Sequence, residues 1–254
     1  MTSLARQAAL PAAAPNAADD DLAARVAALP WDAIAAQLDE RGFATTDALL
    51  SAAECRALAE LYPAAERFRS RIVMARHGFG RGEYQYFAYP LPQVVEGLRR
   101  AVYPKLAPIA NRWHEALGRQ ARFPESLDDF LERCHAAGQS RPTPLLLKYG
   151  PEDYNHLHQD VYGELVFPFQ LTVLLSDPGR DFTGGEFVLV EQRPRMQSRA
   201  EVVPLGQGEA VIFAVNHRPG RGARGFYRVT LRHGVSRLRA GQRFTLGVIL
   251  HDAA

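Results

Sequence analysis

Two kinds of apolar spacing divide this chain. Up to about residue 143 apolar positions recur mostly at helical intervals, and from Pro144 onward they come in short runs punctuated by turns. The acidic start at Asp19, the spacing of Leu22, Val26, Leu29, Ile34 and Leu38, and the break at Pro30 predict two short helices, the second ended by Gly42. Ser51-Ala-Ala-Glu54 is a capping box that opens a helix closed by Pro63. Val95, Leu98, Val102, Leu106, Ile109 and Trp113 predict a helix over 92–117, broken near Pro104 and Pro108. Ser126 N-caps a shorter helix that ends by Gly138. Residues 69–89 read as a hairpin, with strand-like flanks around a glycine-rich turn.

Downstream, strand-like runs cover 145–149, 167–175, 185–190, 200–205, 209–215, 226–233 and 243–251, separated by turns such as Asp177-Pro-Gly, Thr183-Gly-Gly and Gly206-Gln-Gly. This block suits a double-stranded β-helix, or jelly roll, whose two sheets enclose a metal near one mouth while the preceding helices buttress one sheet, an α+β fold overall. No repeat, charge block or linker splits residues 19–254. They are read as a single domain with a helical and hairpin part (19–143) and a jelly-roll core (144–254), preceded by a disordered alanine- and proline-rich tail over 1–18.

Composition adds limits. A formal charge of +2 gives no bulk attraction to nucleic acid or to a membrane surface, so any such case rests on local clustering. The tail lacks an apolar core of signal-peptide length, and Cys55 and Cys134 lack metal-type spacing. Together these predict a cytoplasmic protein with reduced thiols and no membrane partner.

Candidate chemistry centres on His158-Gln-Asp160. On one extended strand this spacing turns imidazole and carboxylate to the same face, where both reach one ion. His233, after a run of strand-like segments, can supply a third ligand, giving two histidines and a carboxylate with coordination positions left open, the ferrous-oxygenase set. The same residues also suit zinc hydrolysis, and a jelly-roll binding module would make them incidental. His156 lies on the same strand face, but the aspartate position selects His158 as its partner. Ten residues past His233, Arg243 shares a strand face with Thr245, where an arginine forks a carboxylate.

His-x-Asp, a distal His and an Arg roughly ten residues beyond it resemble the pattern of the 2-oxoglutarate/Fe(II)-dependent dioxygenases. The resemblance implies that His158, Asp160 and His233 bind Fe(II), and that Arg243, with Thr245, meets the far carboxylate of 2-oxoglutarate, O2 being the second cosubstrate. It implies Tyr149 as a helper at that carboxylate and Tyr154 as a residue facing the substrate. Thr183-Gly-Gly-Glu186 resembles a common turn of the family and receives no chemical role. Met74-Ala-Arg-His-Gly-Phe-Gly-Arg-Gly-Glu83, Leu147-Lys-Tyr-Gly150 and His156-Leu-His-Gln-Asp-Val-Tyr-Gly-Glu164 are similar to a bacterial oxygenase family presumed to demethylate damaged nucleic acid. AlkB-type repair enzymes usually carry a second arginine shortly after the cosubstrate arginine, and Arg243 is followed by none.

The implied reaction is hydroxylation or oxidative demethylation with release of succinate and CO2, possible substrates being a methylated nucleobase or a prolyl or other peptide or small molecule. Between Arg193 and Arg243 stand 11 arginines, no lysine and two acids. Arg218, Arg221 and Arg224, in a segment read as a loop leading to the His233 strand, are placed at the entrance to contact phosphates of single-stranded or damaged nucleic acid. Tyr84, Tyr86 or Phe226 would receive the base.

Overall fold

The computed structural model describes residues 17–254, so the expected tail lies outside the described residues except for its last two, which begin a helix. Helices α1 (Ala17–Ala27) and α2 (Trp31–Arg41) part at Pro30, and Gly42, left-handed at φ 81°, closes α2 by donating its N–H to the Leu38 carbonyl. Strand β1 (Phe43–Thr46) follows, then α3 (Ala52–Glu60) with the expected capping box: Ser51 Oγ accepts from the Glu54 N–H, and the Glu54 carboxylate accepts from the Ser51 N–H. Glu54 also pairs with Arg25 at 2.7 Å, which ties α1 to α3.

Strands β2 (Phe68–Val73) and β4 (Glu83–Phe87) form the expected hairpin, but its apex departs from a simple turn. There β3 (Gly80–Arg81) leaves the hairpin's sheet to pair with a strand of the other one. Helix α4 (Gln93–Ala116) runs without interruption past Pro104 and Pro108, contrary to the predicted break. Both prolines are exposed and stand four residues apart on one face, while Leu98, Val102, Leu106 and Trp113 are buried on the opposite one. Carbonyls that lose their donors on the solvent side tilt toward water, and burial of the apolar face offsets the lost bonds. Helix α5 (Leu127–Ala136) starts at Ser126, whose hydroxyl accepts from the Asp129 N–H at 3.1 Å.

Beyond residue 144 come β5 (Leu145–Tyr149), β6 (Tyr154–His158), β7 (Phe169–Leu174), β8 (Phe182–Gly184), β9 (Phe187–Gln192), β10 (Arg199–Val203), β11 (Ala210–Ala214), β12 (His217–Gly222), β13 (Gly225–Val235), β14 (Leu238–Gly241) and β15 (Arg243–Ile249). Antiparallel pairing gives one sheet in the order β1-β11-β7-β15-β5-β4-β2, another in the order β10-β9-β13-β6-β3 with β12 added on β13, and a small third sheet of β14 and β8. The first sheet draws strands from both sides of residue 144. The segment read as a loop over 216–226 is instead the β12–β13 hairpin, because Arg218 and Gly220 pair with Val229 and Tyr227.

Alternation sorts the first sheet's two faces. Leu146, Leu171, Val173, Leu246 and Val248 pack with the helices in one core, where Trp113 meets Phe169 at 4.5 Å and Tyr103 meets Phe167 at 4.9 Å between ring centroids. Their neighbours Leu145, Leu147, Tyr149, Gln170, Thr172, Arg243 and Thr245 face the opposite way and line a cavity. The helices therefore cover one face and leave the other for chemistry. Among the described residues no helix is long and apolar enough to cross a membrane.

Candidate metal centre

His158 is the last residue of β6, and His233 stands directly opposite it on β13, with ring centroids 4.2 Å apart. Asp160 does not share the strand with His158 as expected, since β6 ends first. The chain is turned there by Gln159, whose side-chain amide donates to the Asn216 and Leu231 carbonyls at 2.9 and 2.8 Å. The Asp160 carboxylate still reaches both imidazoles, with Oδ1 3.4 Å from His158 Nε2 and Oδ2 3.3 Å from His233 Nε2. Ligand atoms of the three residues all lie within 4.8 Å of one another, a geometry able to hold a metal ion.

Protonation divides the three residues: burial would lower His158, but the Asp160 carboxylate outweighs it and holds this imidazole above its usual range, so His158 sheds its proton to take a metal. Burial alone would raise the Asp160 carboxyl, but the His233 and His158 imidazoles outweigh it and hold the group well below the usual carboxylate range. Burial and then the neighbouring His158 push His233 down, toward the neutral imidazole that a metal requires. His158 Nδ1 lies 2.8 Å from the His156 carbonyl, which fixes the ring and leaves Nε2 toward Asp160.

Two further side chains hold the carboxylate, and neither was identified from sequence. Tyr162 Oη donates to Asp160 Oδ1 and Gln170 Nε2 to Oδ2, each at 2.8 Å. A glutamine inside the apolar run Phe169-Gln-Leu-Thr, on the face opposite Phe169 and Leu171, is the one signal that pointed to the cavity.

The same cavity, of about 440 Å³, is also lined by Tyr149, Arg243 and Thr245. Arg243 on β15 is paired in register with Tyr149 on β5, and only 2% of it is exposed. One of its Nη atoms donates to Thr245 Oγ1 at 2.6 Å, its Nε has no partner, and no carboxylate pairs with it among the described residues. Burial pushes this guanidinium down to about 10. Tyr149 Oη is also buried without a hydrogen bond of normal geometry. Gly185, left-handed at φ 64°, closes the wall here, since a Cβ would stand 2.6 Å from Leu238 and 3.1 Å from Arg243 Cδ. The Thr183-Gly-Gly turn thus packs the arginine.

Other expected residues lie elsewhere. Tyr154 does not line the cavity, and its ring sits 5.2 Å from that of His156. Arg218 is 3% exposed and pairs with Glu191 at 2.5 Å, so it is a structural ion pair and no phosphate contact. Arg221 and Arg224 are exposed on the β12–β13 hairpin, outside the cavity lining. Tyr84 lines the cavity, Tyr86 is buried beside it at 5.4 Å, and Phe226 is exposed on the hairpin. His156 lines the cavity, outside the metal-binding group, with Nδ1 3.0 Å from the Gly78 carbonyl.

Residues 82–253 match the Oxygenase-NA family, described as oxygenases catalysing oxidative methylation of damaged DNA. An uncharacterized protein of Mycobacterium tuberculosis H37Rv is 52% identical over 198 residues, covering 76% of this chain and 85% of the relative. In fold the chain is similar to a Pseudomonas putida prolyl-4-hydroxylase (16% identity, TM-score 0.52, 85% of this chain and 96% of that one). It is likewise similar to a Burkholderia pseudomallei oxidoreductase of the 2OG-Fe(II) oxygenase family (18% identity, TM-score 0.52, 88% and 93%).

Proposed function

The chain belongs to the Oxygenase-NA family, and from that premise we propose that it is an Fe(II)- and 2-oxoglutarate-dependent dioxygenase that oxidatively demethylates a methylated base in nucleic acid. The observation that carries the proposal is a pairing within one cavity: an open His158/Asp160/His233 set and, lining the same space, a buried arginine with no carboxylate at ion-pair distance among the described residues. A buried charge without an ion-pair partner is costly, so Arg243 and the buried Tyr149 hydroxyl suit an anionic ligand that itself reaches the metal. A zinc hydrolase gives Arg243 no task, and a binding module gives the open metal set none.

When bound, iron, 2-oxoglutarate and O2 together supply a two-electron oxidation of a C–H bond, with succinate and CO2 released. The rest is positioning. His158, Asp160 and His233 hold the metal from one side and leave the cavity side open. Arg243 and Thr245, with Tyr149, orient the cosubstrate's far carboxylate through charge-assisted hydrogen bonds. Leu145, Leu147 and Phe187 line the space between and exclude water from it. Hydroxylation of an N-methyl group gives an N-hydroxymethyl product, which collapses to the N–H base and formaldehyde.

The two larger antiparallel sheets support reading the core as a double-stranded β-helix, with residues 19–254 forming one domain because the largest sheet spans its helical and strand-rich parts. Cys55 and Cys134, free and buried, support a cytoplasmic setting. The family's description supports nucleic acid as substrate, and the fold likeness to a prolyl hydroxylase makes proline peptides the comparison arm.

The test is succinate release with Fe(II) and 2-oxoglutarate across methylated single-stranded oligonucleotides, proline peptides and free metabolites. The methylated oligonucleotides are expected to raise the rate above background and to yield formaldehyde in step with succinate. Stimulation by peptides alone would transfer the substrate assignment, and absence of iron-dependent succinate would remove the oxygenase assignment.

A second expectation concerns the outer partners. Tyr162→Phe and Gln170→Leu each remove one donor to Asp160 while leaving every ligand atom in place, and each is expected to weaken divalent-metal binding by about ten- to a hundredfold in calorimetric titration. Unchanged affinity would reduce both residues to packing.

A further inference from the structure

The apex of the β2–β4 hairpin carries the most exposed aromatic surface on the cavity. Phe79 is 46% exposed, lines the cavity, and stacks on His77 with centroids 5.3 Å apart and planes 23° from parallel. Leu157, 47% exposed, lines the same opening. The backbone that carries this exposed ring is held firmly. The Phe79 carbonyl accepts from the His156 N–H at 2.9 Å, its own N–H donates to the Met74 carbonyl at 3.2 Å, and Met74 is fully buried. Gly80 beside it, at φ 130°, lies so close to β6 that a Cβ would stand 2.4 Å from the Tyr154 carbonyl oxygen. Phe79 is therefore fixed by backbone bonds to the strand that ends in His158.

The segment's own charge is one-sided, although Glu83 and Asp153 stand against it. Residues 67–82 contain five arginines and no acid. Arg69 lies over the Tyr86 ring and donates to the Pro142 carbonyl, and Arg71 is paired with Glu83. Arg76 is exposed and makes no ion pair or hydrogen bond among the described residues, and exposed Arg81 makes only a 3.8 Å contact with Asp153. An exposed ring on an anchored backbone, with Arg76 and Arg81 three and two residues away from it along the chain, suits a ligand that alternates flat faces with negative charge. A proline peptide offers no such charge.

We infer that Phe79 stacked on His77, with Arg76 and Arg81 beside it, is the platform that receives a base of single-stranded nucleic acid and its neighbouring phosphates at the mouth of the cavity. This rests on the nucleic-acid reading above and moves the contact from the β12–β13 hairpin to the β2–β4 apex. Bases stack on an aromatic face only when out of the duplex, so single strands are the preferred form.

The experiment is fluorescence anisotropy of the full chain with a labelled mixed-sequence single-stranded DNA, the same sequence as duplex, and a labelled proline-rich peptide, over a salt series. The wild type should bind the single strand in preference to duplex and peptide. Phe79→Ala should lose about tenfold or more in affinity, and Phe79→Trp should retain it. Arg76→Gln with Arg81→Gln should flatten the log–log salt dependence by about 1.4 on single strands. Arg221→Gln with Arg224→Gln should change neither quantity. Wild-type affinity and salt slope in the Phe79→Ala and Arg76/Arg81 variants would overturn the platform while leaving the substrate class intact. Binding of the wild type to the peptide alone would overturn both. Should Phe79→Ala fail to fold, the tryptophan and double-glutamine variants decide the matter alone.

Discussion

Asp160→Ala is expected to leave a folded protein that no longer binds Fe(II) tightly and releases no succinate above background. The carboxylate is the sole anionic member of the three-residue group, and it is 7% exposed between two imidazoles. Without it a divalent ion would enter a buried site with two neutral ligands, uncompensated in charge. Loss of an outer partner typically costs about ten- to a hundredfold in metal affinity, so loss of the ligand itself should exceed that range. The substitution also strands the Tyr162 hydroxyl and the Gln170 amide, at about 1–3 kcal/mol for each donor left unsatisfied. A lower melting temperature without metal, together with loss of the metal-induced rise, is the expected calorimetric signature. A rate near wild type in the presence of iron would sink the assignment of the ligand set.

How far the site could be read from sequence depended on whether its geometry is local. The two-residue spacing of His158 and Asp160 brings them together even though the strand stops between them, because Gln159 is pinned by two backbone carbonyls. His233 and Arg243 are placed by β13 and β15, long apolar runs whose alternation is visible in sequence. Arg218 illustrates the opposite case. Among Pro219, Gly220 and Gly222 it looks like part of a polar loop, but Glu191, on another strand, neutralises it inside the protein. That partnership spans 27 positions and leaves no periodic trace. Tyr162 and Gln170 were missed for the same reason: their role exists only through contact with Asp160.

For the fold, local chemistry was decisive at helix ends and weak within helices and short strands. Ser51, Ser126, Pro30 and Gly42 mark termini by hydrogen bonds and backbone angles that need no tertiary partner. The prolines of α4 mislead because a proline's cost depends on which face it occupies, and both face solvent. Strands β1, β8 and β14 are three or four residues long and exist only through their partners β11 and, for the last two, each other. Such short segments carry too little alternation to be found alone.

Arg243→Leu is expected to have two effects of opposite sign, and their combination separates a ligand-binding arginine from a structural one. In the free protein the guanidinium is buried, pushed down to about 10 by that burial yet still cationic at neutral pH, and without a carboxylate partner among the described residues. Replacing such a charge by a shorter apolar side chain of comparable volume removes a desolvation penalty, so the unliganded variant should melt at a higher temperature than the wild type. In the complex the same substitution leaves the far carboxylate of 2-oxoglutarate without its charge partner, a loss of about 2–5 kcal/mol for a buried hydrogen-bonded pair. That corresponds to roughly thirtyfold to several-thousandfold in cosubstrate affinity. Metal affinity should be unchanged, because His158, Asp160 and His233 keep their contacts. Arg243→Lys retains the charge without the fork and should fall between. A structural arginine would give the reverse, a lower melting temperature with unaltered cosubstrate affinity, and that result would move the carboxylate site away from Arg243.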